Sequence, residues 1–336
     1  MLCGITYFFV HFLLEVTCYS VLYNALGPES TFYIILVYDF FAFAVQGLIG
    51  EFSNAHKDFD IGSFGVCLLF IGILLYSDDR FLYTVSIFFI AFGNAFVHEA
   101  GAVSCAVTGN GKMFPSALFV AGGSFGVVTG QLLGGLSGVH KWFLLLILAT
   151  MEILILCTNK HWLSGNYVSS RYHLTEPSVS DLSVIIISVS VVAVRSLISY
   201  AIPSSWRTDL WHTCALFAAM GTGKACGGFF ADRFGARCAS LACIILSIPF
   251  LVLGGRNMAV SLIGIFLFSM LMPVTFAALL SVIDSPGTAF GFTTIGLFLG
   301  TLPELTGTVN ILAELYLPMI ILLSVLSAAM LHKILK

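Results

Sequence analysis

Charged residues are scarce in this chain. Lysine, arginine, aspartate and glutamate together make up 9% of the 336 residues, whereas hydrophobic residues make up 59%. A soluble domain carries about 25% charged residues, so this composition excludes an ordinary soluble protein and indicates one that is embedded in a membrane. The net charge of −3 also gives no sign of binding to nucleic acid, which requires a basic surface.

Motifs that mark enzymes and ATP-driven pumps are also missing. Gly221-Thr-Gly223-Lys224 lies in an apolar run and lacks the preceding strand and the spacing of a phosphate-binding loop. His98-Glu99 is followed by Ala-Gly-Ala, so it is not the His-Glu-x-x-His pattern of a zinc protease. Ser124 lies between glycines in an apolar run, without the strand-to-helix turn of a hydrolase nucleophile. We therefore expect no enzymatic activity.

The nine cysteines form no Cys-x-x-Cys pair, and their number is odd. Scattered cysteines in apolar runs behave as small packing residues, which argues against a disulfide framework and against a metal site. The sequence therefore predicts neither a bound metal nor a cofactor.

Long apolar runs dominate what is present. A membrane-spanning helix needs about 20 apolar residues, and twelve runs are candidates, of which the third is short. The first starts almost at Met1 with no small-residue cleavage site after it, so we expect a retained helix and not a signal peptide. The candidate spans are 5–26, 31–50, 62–76, 81–107, 114–137, 141–157, 182–203, 208–231, 237–254, 258–283, 287–304 and 311–333.

Two similar segments divide the chain into halves. Gly47-Leu-Ile-Gly-Glu51 and Gly228-Phe-Phe-Ala-Asp232 each close a long apolar run, precede basic residues and lie 181 positions apart. One copy in each half predicts two similar helical bundles, an organisation typical of proteins that move solutes across a bilayer. We predict an N-terminal bundle over 1–157, a cytoplasmic linker over 158–180 and a C-terminal bundle over 181–336.

The second copy suggests a role for each of its residues. Gly228 allows a neighbouring helix to approach closely, and Gly235 allows a tight turn. Asp232 is placed to accept hydrogen bonds from the first N–H groups of the following helix. Arg233 and Arg237 are expected to face anionic lipid or a neighbouring carboxylate.

In the first copy Glu51 replaces the aspartate, and Asn54 replaces the turn glycine, because asparagine tolerates left-handed backbone. Both copies resemble the loops after spans two and eight of the major facilitator superfamily, whose fold is all-α, with twelve transmembrane helices in two pseudo-symmetric bundles. The resemblance implies that the loops act in gating between conformations. An ordinary tight turn with a charged rim is the alternative.

Two further stretches carry a resemblance. Gly126-x-x-x-Gly130-Gln131-x-x-Gly134 is similar to the superfamily's antiporter motif, with Gln131 where proline is usual, and implies export in exchange for protons. A glycine packing seam is the alternative.

Three segments resemble the fosmidomycin-resistance branch of the superfamily: Val97-His98-Glu99, His11-x-x-x-Glu15 and Met272-Pro273-Val-Thr275. That branch has His-Pro-Glu in span four. In this chain the histidine is displaced by one position towards the glutamate, and the proline is missing.

Ionisable side chains inside the spans point to a site. Each costs at least about 2.5–3.5 kcal/mol at the bilayer centre, so such groups usually face a cavity or a partner. His11 and Glu15 are four residues apart and share a helix face, and the repeat offset places Glu15 near the counterpart of Arg195. Histidine titrates near neutral pH and suits a proton relay. The candidates for proton coupling or substrate binding are His11, Glu15, Asp39, His98, Glu99, Gln131, Arg195 and Lys224.

Structural roles remain open for these groups. Glu15 and Arg195 would then form an ion pair between the halves, His11 would bond a backbone carbonyl, and His98 would fix span four. Asp39 and Lys224 would likewise pair structurally.

The predicted protein is an integral, multi-pass monomer of the bacterial inner membrane, whose partners are lipid, protons and a small-molecule substrate. Basic residues favour the loops on one side, which places both termini in the cytoplasm. We predict proton-coupled export of a small organic or drug-like molecule by alternating access. The alternatives are proton-coupled uptake of an organic acid or other nutrient, and a sensor or enzyme on the same scaffold.

Overall fold

The computed structural model describes residues 1–24, 28–135, 139–159, 172–202, 204–306 and 315–336. These residues form helices and no β-strand, and ten of the helical segments are long and apolar enough to cross a membrane. The predicted all-α membrane architecture is confirmed, because each of the twelve predicted spans overlaps helical segments among the described residues.

The N-terminal half begins with a helix that starts at the second residue. A π-helical turn, Phe40–Ala44, joins α2 to α3, and the three pieces form a single span. The third span is short, as predicted, with 15 residues. The helices are α1 (Leu2–Asn24), α2 (Pro28–Asp39), α3 (Gln46–Ala55), α4 (Ile61–Leu75), α5 (Arg80–Gly109), α6 (Phe114–Gly135) and α7 (Lys141–Asn159).

The C-terminal half repeats this arrangement. Its fourth span is broken between α11 and α12, because Pro273 in the first turn of α12 has no N–H to continue the helix. The predicted twelfth span starts within 307–314 and most of the predicted linker lies within 160–171, both outside the described residues. The helices are α8 (Asp181–Ala201), α9 (Leu210–Phe234), α10 (Ala236–Leu253), α11 (Met258–Ser269), α12 (Met272–Leu280), α13 (Pro286–Leu305) and α14 (Tyr316–Ile334).

Glycines of α6 form the surface on which α1 packs. A Cβ atom on Gly130 would lie 2.8 Å from the Cβ of Tyr19, and one on Gly134 would lie 2.7 Å from the carbonyl oxygen of Ser20. Such short approaches require glycine. The stretch that resembles the antiporter motif is therefore, in this structure, a packing seam within the N-terminal half.

The two halves meet through α6 with α9 and through α3 with α13. A Cβ atom on Gly228 would meet the side chain of Ala117, so this glycine does allow a close helix approach. In the other pair, a Cβ atom on Gly47 would lie 3.8 Å from Gly291, and one on Gly50 would clash with Gly287. These contacts lie at the end of the molecule that holds Glu51 and Asp232, called the loop end below.

The carboxylate of Asp232 accepts hydrogen bonds from the backbone N–H groups of Met113, at 2.8 Å, and Phe114, at 3.0 Å. These groups belong to the start of α6, in the opposite half. The expected partner was the following helix, and this expectation is wrong, because the packing of α9 on α6 brings the start of α6 closer. On the other side of the interface the hydroxyl of Thr288, in the first turn of α13, donates to Glu51.

Each acidic residue therefore faces the start of a helix in the opposite half, where unpaired N–H groups and the helix dipole favour negative charge. Gly235 has a φ of +88°, as its turn requires. Asn54 instead stays in α3, so its expected left-handed conformation is wrong. Arg237 donates to Glu176 at 3.1 Å, and Arg233 is exposed.

Replacing Asp232 tests whether this bond holds the loop end closed. We expect Asp232→Ala to shift the protein towards conformations with the loop end open, because two charge-assisted bonds across the halves are lost. Spin labels on cysteines at Phe59 and Phe234, with the native cysteines replaced, report the separation of the halves.

Asp209→Ala is the matched control, since Asp209 caps its own helix through the N–H of His212. A distance distribution in Asp232→Ala equal to that of the control would contradict the role of Asp232.

Candidate functional site

Three ionisable side chains meet inside the N-terminal half: His11 and Glu15 of α1 and His98 of α5, here called the His–Glu–His cluster. The Nε2 atoms of His11 and His98 are 2.7 Å apart. One oxygen of Glu15, Oε1, lies 3.6 Å from Nε2 of His11 and 3.4 Å from Nε2 of His98. All three side chains are buried. The packing of α1 against both α5 and α6 brings the cluster together.

The other ring nitrogen of each histidine is held by an acceptor. Nδ1 of His11 lies 2.8 Å from the carbonyl oxygen of Phe119. Nδ1 of His98 lies 3.1 Å from the carbonyl oxygen of Asn94 and 2.6 Å from its side-chain oxygen. Carbonyl oxygens only accept, so both Nδ1 atoms carry hydrogen. The expected structural role of His11, a bond to a backbone carbonyl, is thus compatible with a role in the cluster.

Asn94 orients the cluster from one turn before His98. Its amide nitrogen donates to Oε1 of Glu15 at 3.2 Å and to the hydroxyl of Tyr38 at 3.0 Å, and it lies 3.4 Å from Sγ of Cys18. Asn94 was not among the site residues predicted from the sequence. Its spacing of four residues from His98 is the signal that would have found it, because such residues are neighbours on a helix face.

These hydrogen bonds create an electrostatic requirement. With Nδ1 protonated, each neutral ring carries a lone pair on Nε2, and two lone pairs 2.7 Å apart repel each other. The adjacent carboxylate of Glu15 adds negative charge. One proton on either Nε2 converts the repulsion into an N–H···N hydrogen bond. A proton or another cation between the two Nε2 atoms would therefore remove this repulsion.

Glu99 faces a different surface from its neighbour His98. It is fully buried, and neither carboxyl oxygen has a hydrogen-bond partner among the described residues. A Cβ atom on Gly287 would lie 2.9 Å from Oε2 of Glu99, which places this carboxyl group at the contact between α5 and α13. Glu99 thus lies at the interface of the halves and not in the His–Glu–His cluster.

Lys224 of the C-terminal half lies within electrostatic reach of the cluster, and Arg195 lies within reach of Lys224. Nζ of Lys224 donates to the hydroxyl of Ser124, at 2.8 Å, so this bond joins the two halves. Lys224 is within electrostatic reach of both Glu15 and Arg195. Arg195 is buried in α8, with Nη2 3.8 Å from the sulfur of Met272.

The remaining candidates are more distant from the cluster. Asp39 is buried at the end of α2, within electrostatic reach of Glu15. Gln131 is half-buried near the other end of α6, where its amide donates to the hydroxyl of Tyr23 at 3.1 Å. Gln131 therefore ties α6 to α1 in this structure.

Aromatic rings surround His98 and link it to the opposite half. The ring of His98 lies 6.1 Å from that of Phe119 and 6.5 Å from that of Phe290, measured between centroids. Phe290 belongs to α13 and also packs against Phe119, at 5.8 Å. The cluster is thus shielded by an apolar shell to which both halves contribute.

Comparison with known proteins shows the fold. No protein-family model matches the sequence, and no match is found among curated proteins. The structure is similar to a variant of the E. coli fucose:proton symporter, FucP, with a TM-score of 0.65, 14% identity, and coverage of 98% of this chain and 96% of that one. It is also similar to the human organic anion transporter MFSD10 (TETRAN), with a TM-score of 0.64, 15% identity, and coverage of 98% and 97%.

These likenesses extend over nearly the whole chain, and they show that it has the major facilitator fold. The structures that it resembles are named as transporters and not as enzymes. The nearer resemblance to the fosmidomycin-resistance branch stays a prediction.

Asn94 provides a test of the cluster's internal support. We expect Asn94→Leu to lower the unfolding temperature in detergent, because the buried carboxylate of Glu15 loses its amide donor, at about 1–3 kcal/mol. Nδ1 of His98 also loses the shorter of its two acceptors and keeps the backbone carbonyl oxygen of residue 94. Ser104→Ala is the control, since Ser104 is buried in the same helix with a single long bond to Tyr7 of 3.4 Å. Equal shifts in both variants would contradict the role assigned to Asn94.

Proposed function

We propose that this protein is a proton-coupled secondary transporter that exports a small organic or drug-like molecule by alternating access. The observation that carries the proposal is the pair of imidazole nitrogens 2.7 Å apart beside a buried carboxylate. Such a group of side chains takes up and releases protons, and it lies within a fold whose two bundles rock about a central site. We also propose that the protein is a monomer in a bacterial inner membrane, with the loop end facing the cytoplasm.

In this mechanism Glu15 is the proton carrier, and His11 and His98 relay the proton or contact substrate. Arg195 acts as the counter-charge or reads an anionic group. Lys224 belongs to the opposite half from Glu15, so rocking of the halves changes the electric field at Glu15. Alternating access is thereby linked to binding and release of the proton.

The two loops hold the conformation in which the loop end is closed. Opening that end separates Asp232 from the start of α6 and Glu51 from the start of α13. It also brings water to Glu99, which is buried at the same interface. That water would supply the hydrogen-bond partners that both carboxyl oxygens of Glu99 lack among the described residues.

A second candidate is proton-coupled uptake of an organic anion. It is favoured by two cations of the C-terminal half: Lys224, which is within electrostatic reach of Glu15, and Arg195, which is within reach of Lys224. The similar structures also include a proton symporter and an organic anion transporter by name. Both candidates use the same proton site, and they differ in the direction of substrate movement.

Glu15→Gln tests the proton site. In inverted, respiring membrane vesicles with an internal pH-sensitive dye, we expect a substrate from a panel of phosphonates, cationic dyes, organic acids and sugars to dissipate the pH gradient. Glu15→Gln should reduce this effect at least about tenfold, because an amide cannot carry the proton. Glu304→Gln, at an exposed carboxylate, is the control.

An active wild type matched by Glu15→Gln would show that Glu15 is structural. If no compound acts in inverted vesicles, right-side-out vesicles with labelled organic anions and an imposed proton gradient test uptake. Accumulation there that requires Glu15 would favour symport over export.

A further inference from the structure

We propose that His11, Glu15 and His98 form a binding site for one divalent transition-metal ion of the Zn²⁺ class. No metal motif is visible in the sequence, because the two histidines lie 87 positions apart on different helices. In the folded chain, however, the two imidazole rings and the carboxylate lie close together, and their ligand atoms are all within 4.8 Å of one another. Two histidines and a glutamate are a ligand set that binds zinc in proteins.

The separations of the three ligand atoms fit such an ion. Nε2 of His11, Nε2 of His98 and Oε1 of Glu15 form a triangle with sides of 2.7, 3.4 and 3.6 Å. Three points so separated lie on a circle of radius about 1.9 Å, so an ion about 0.9 Å above their plane is about 2.1 Å from each, the length of a Zn–N or Zn–O bond. Tetrahedral ligands at this bond length are about 3.4 Å apart, so the two imidazole nitrogens would move apart from their present 2.7 Å on binding the ion.

The surrounding groups are those that support metal ligands. A histidine that binds a metal through one nitrogen usually donates its other N–H to a carbonyl or carboxylate oxygen. Both histidines do so here, to Phe119 and to Asn94. The side-chain amide nitrogen of Asn94 donates a hydrogen bond to Oε1 of Glu15. The lone pairs on Nε2 are therefore fixed towards the same point.

One further observation points to a missing ligand. The second oxygen of Glu15, Oε2, is buried and has no hydrogen-bond partner among the described residues. Coordination of the ion through Oε2 as well as Oε1 would give this oxygen a partner and supply the fourth ligand atom.

Lys224 limits the affinity of the site. It is within electrostatic reach of all three members of the cluster, so its charge opposes a bound cation. Asp39, which is within electrostatic reach of Glu15, offsets this opposition in part. Removing the charge of Lys224 should therefore tighten metal binding, whereas removing a ligand should weaken it.

This proposal goes beyond the proposed function, because it concerns equilibrium binding and does not require transport. The test uses the purified, metal-free full chain in detergent with exposed thiols alkylated. Co²⁺, whose visible absorption reports its coordination, is titrated in and then displaced by Zn²⁺. We expect one ion per chain, and binding at least tenfold weaker in His11→Gln, His98→Gln and Glu15→Gln.

His332→Gln is the matched control, because His332 is an exposed histidine in α14 and should leave binding unchanged. Lys224→Gln should bind several-fold tighter, and this gain does not depend on variants that fold poorly. Wild-type protein that is helical by circular dichroism and binds no Co²⁺ or Zn²⁺ saturably would overturn the proposal. Binding that is equal in the ligand variants and in His332→Gln would also overturn it.

The outcome is separable from that of the transport assay. Proton movement that requires Glu15 in a protein without metal binding would refute this proposal alone. Metal binding that requires the cluster in a protein without proton movement would refute the proposed function alone.

Discussion

The 2.7 Å contact between two imidazole nitrogens constrains the rest of this structure. Both rings are buried, both use Nδ1 as a donor to oxygen, and both direct Nε2 at the same point. Such a contact is repulsive unless a cation lies between the rings. A cation between the rings would join α1 to α5, and Glu15 would balance its charge. A buried polar group of this kind is costly unless fully satisfied, which is the reason that we assign it a function in the proposals above.

Backbone packing provides the precision that this contact needs. The glycines of α6 allow α1 to approach closely enough that His11 reaches the carbonyl oxygen of Phe119. The same helix carries Ser124 towards Lys224 of the opposite half. Helix α6 therefore serves two interfaces, one within its own bundle and one between the bundles. The glycine pattern explains how the cluster forms and does not distinguish export from uptake in the proposed function.

Much of the fold is predictable from the sequence, because membrane spans are encoded locally by runs of apolar residues. The break before Pro273 and the turn at Gly235 likewise follow from single residues. The predicted partner of Asp232 was wrong because the true one depends on how two distant helices pack. The spacing of His11 and Glu15 on one helix was visible, whereas the approach of His98 required the fold. Asn94 was missed although its spacing from His98 was available.

The most direct test of this account is the protonation of the two rings. Protein labelled with ¹⁵N-histidine, kept metal-free near neutral pH, gives ring-nitrogen resonances by solid-state nuclear magnetic resonance, and His11→Gln and His98→Gln assign the pair. We expect both Nδ1 atoms to be protonated and one proton to be shared by the two Nε2 atoms. Two neutral rings with no proton on either Nε2 would contradict it.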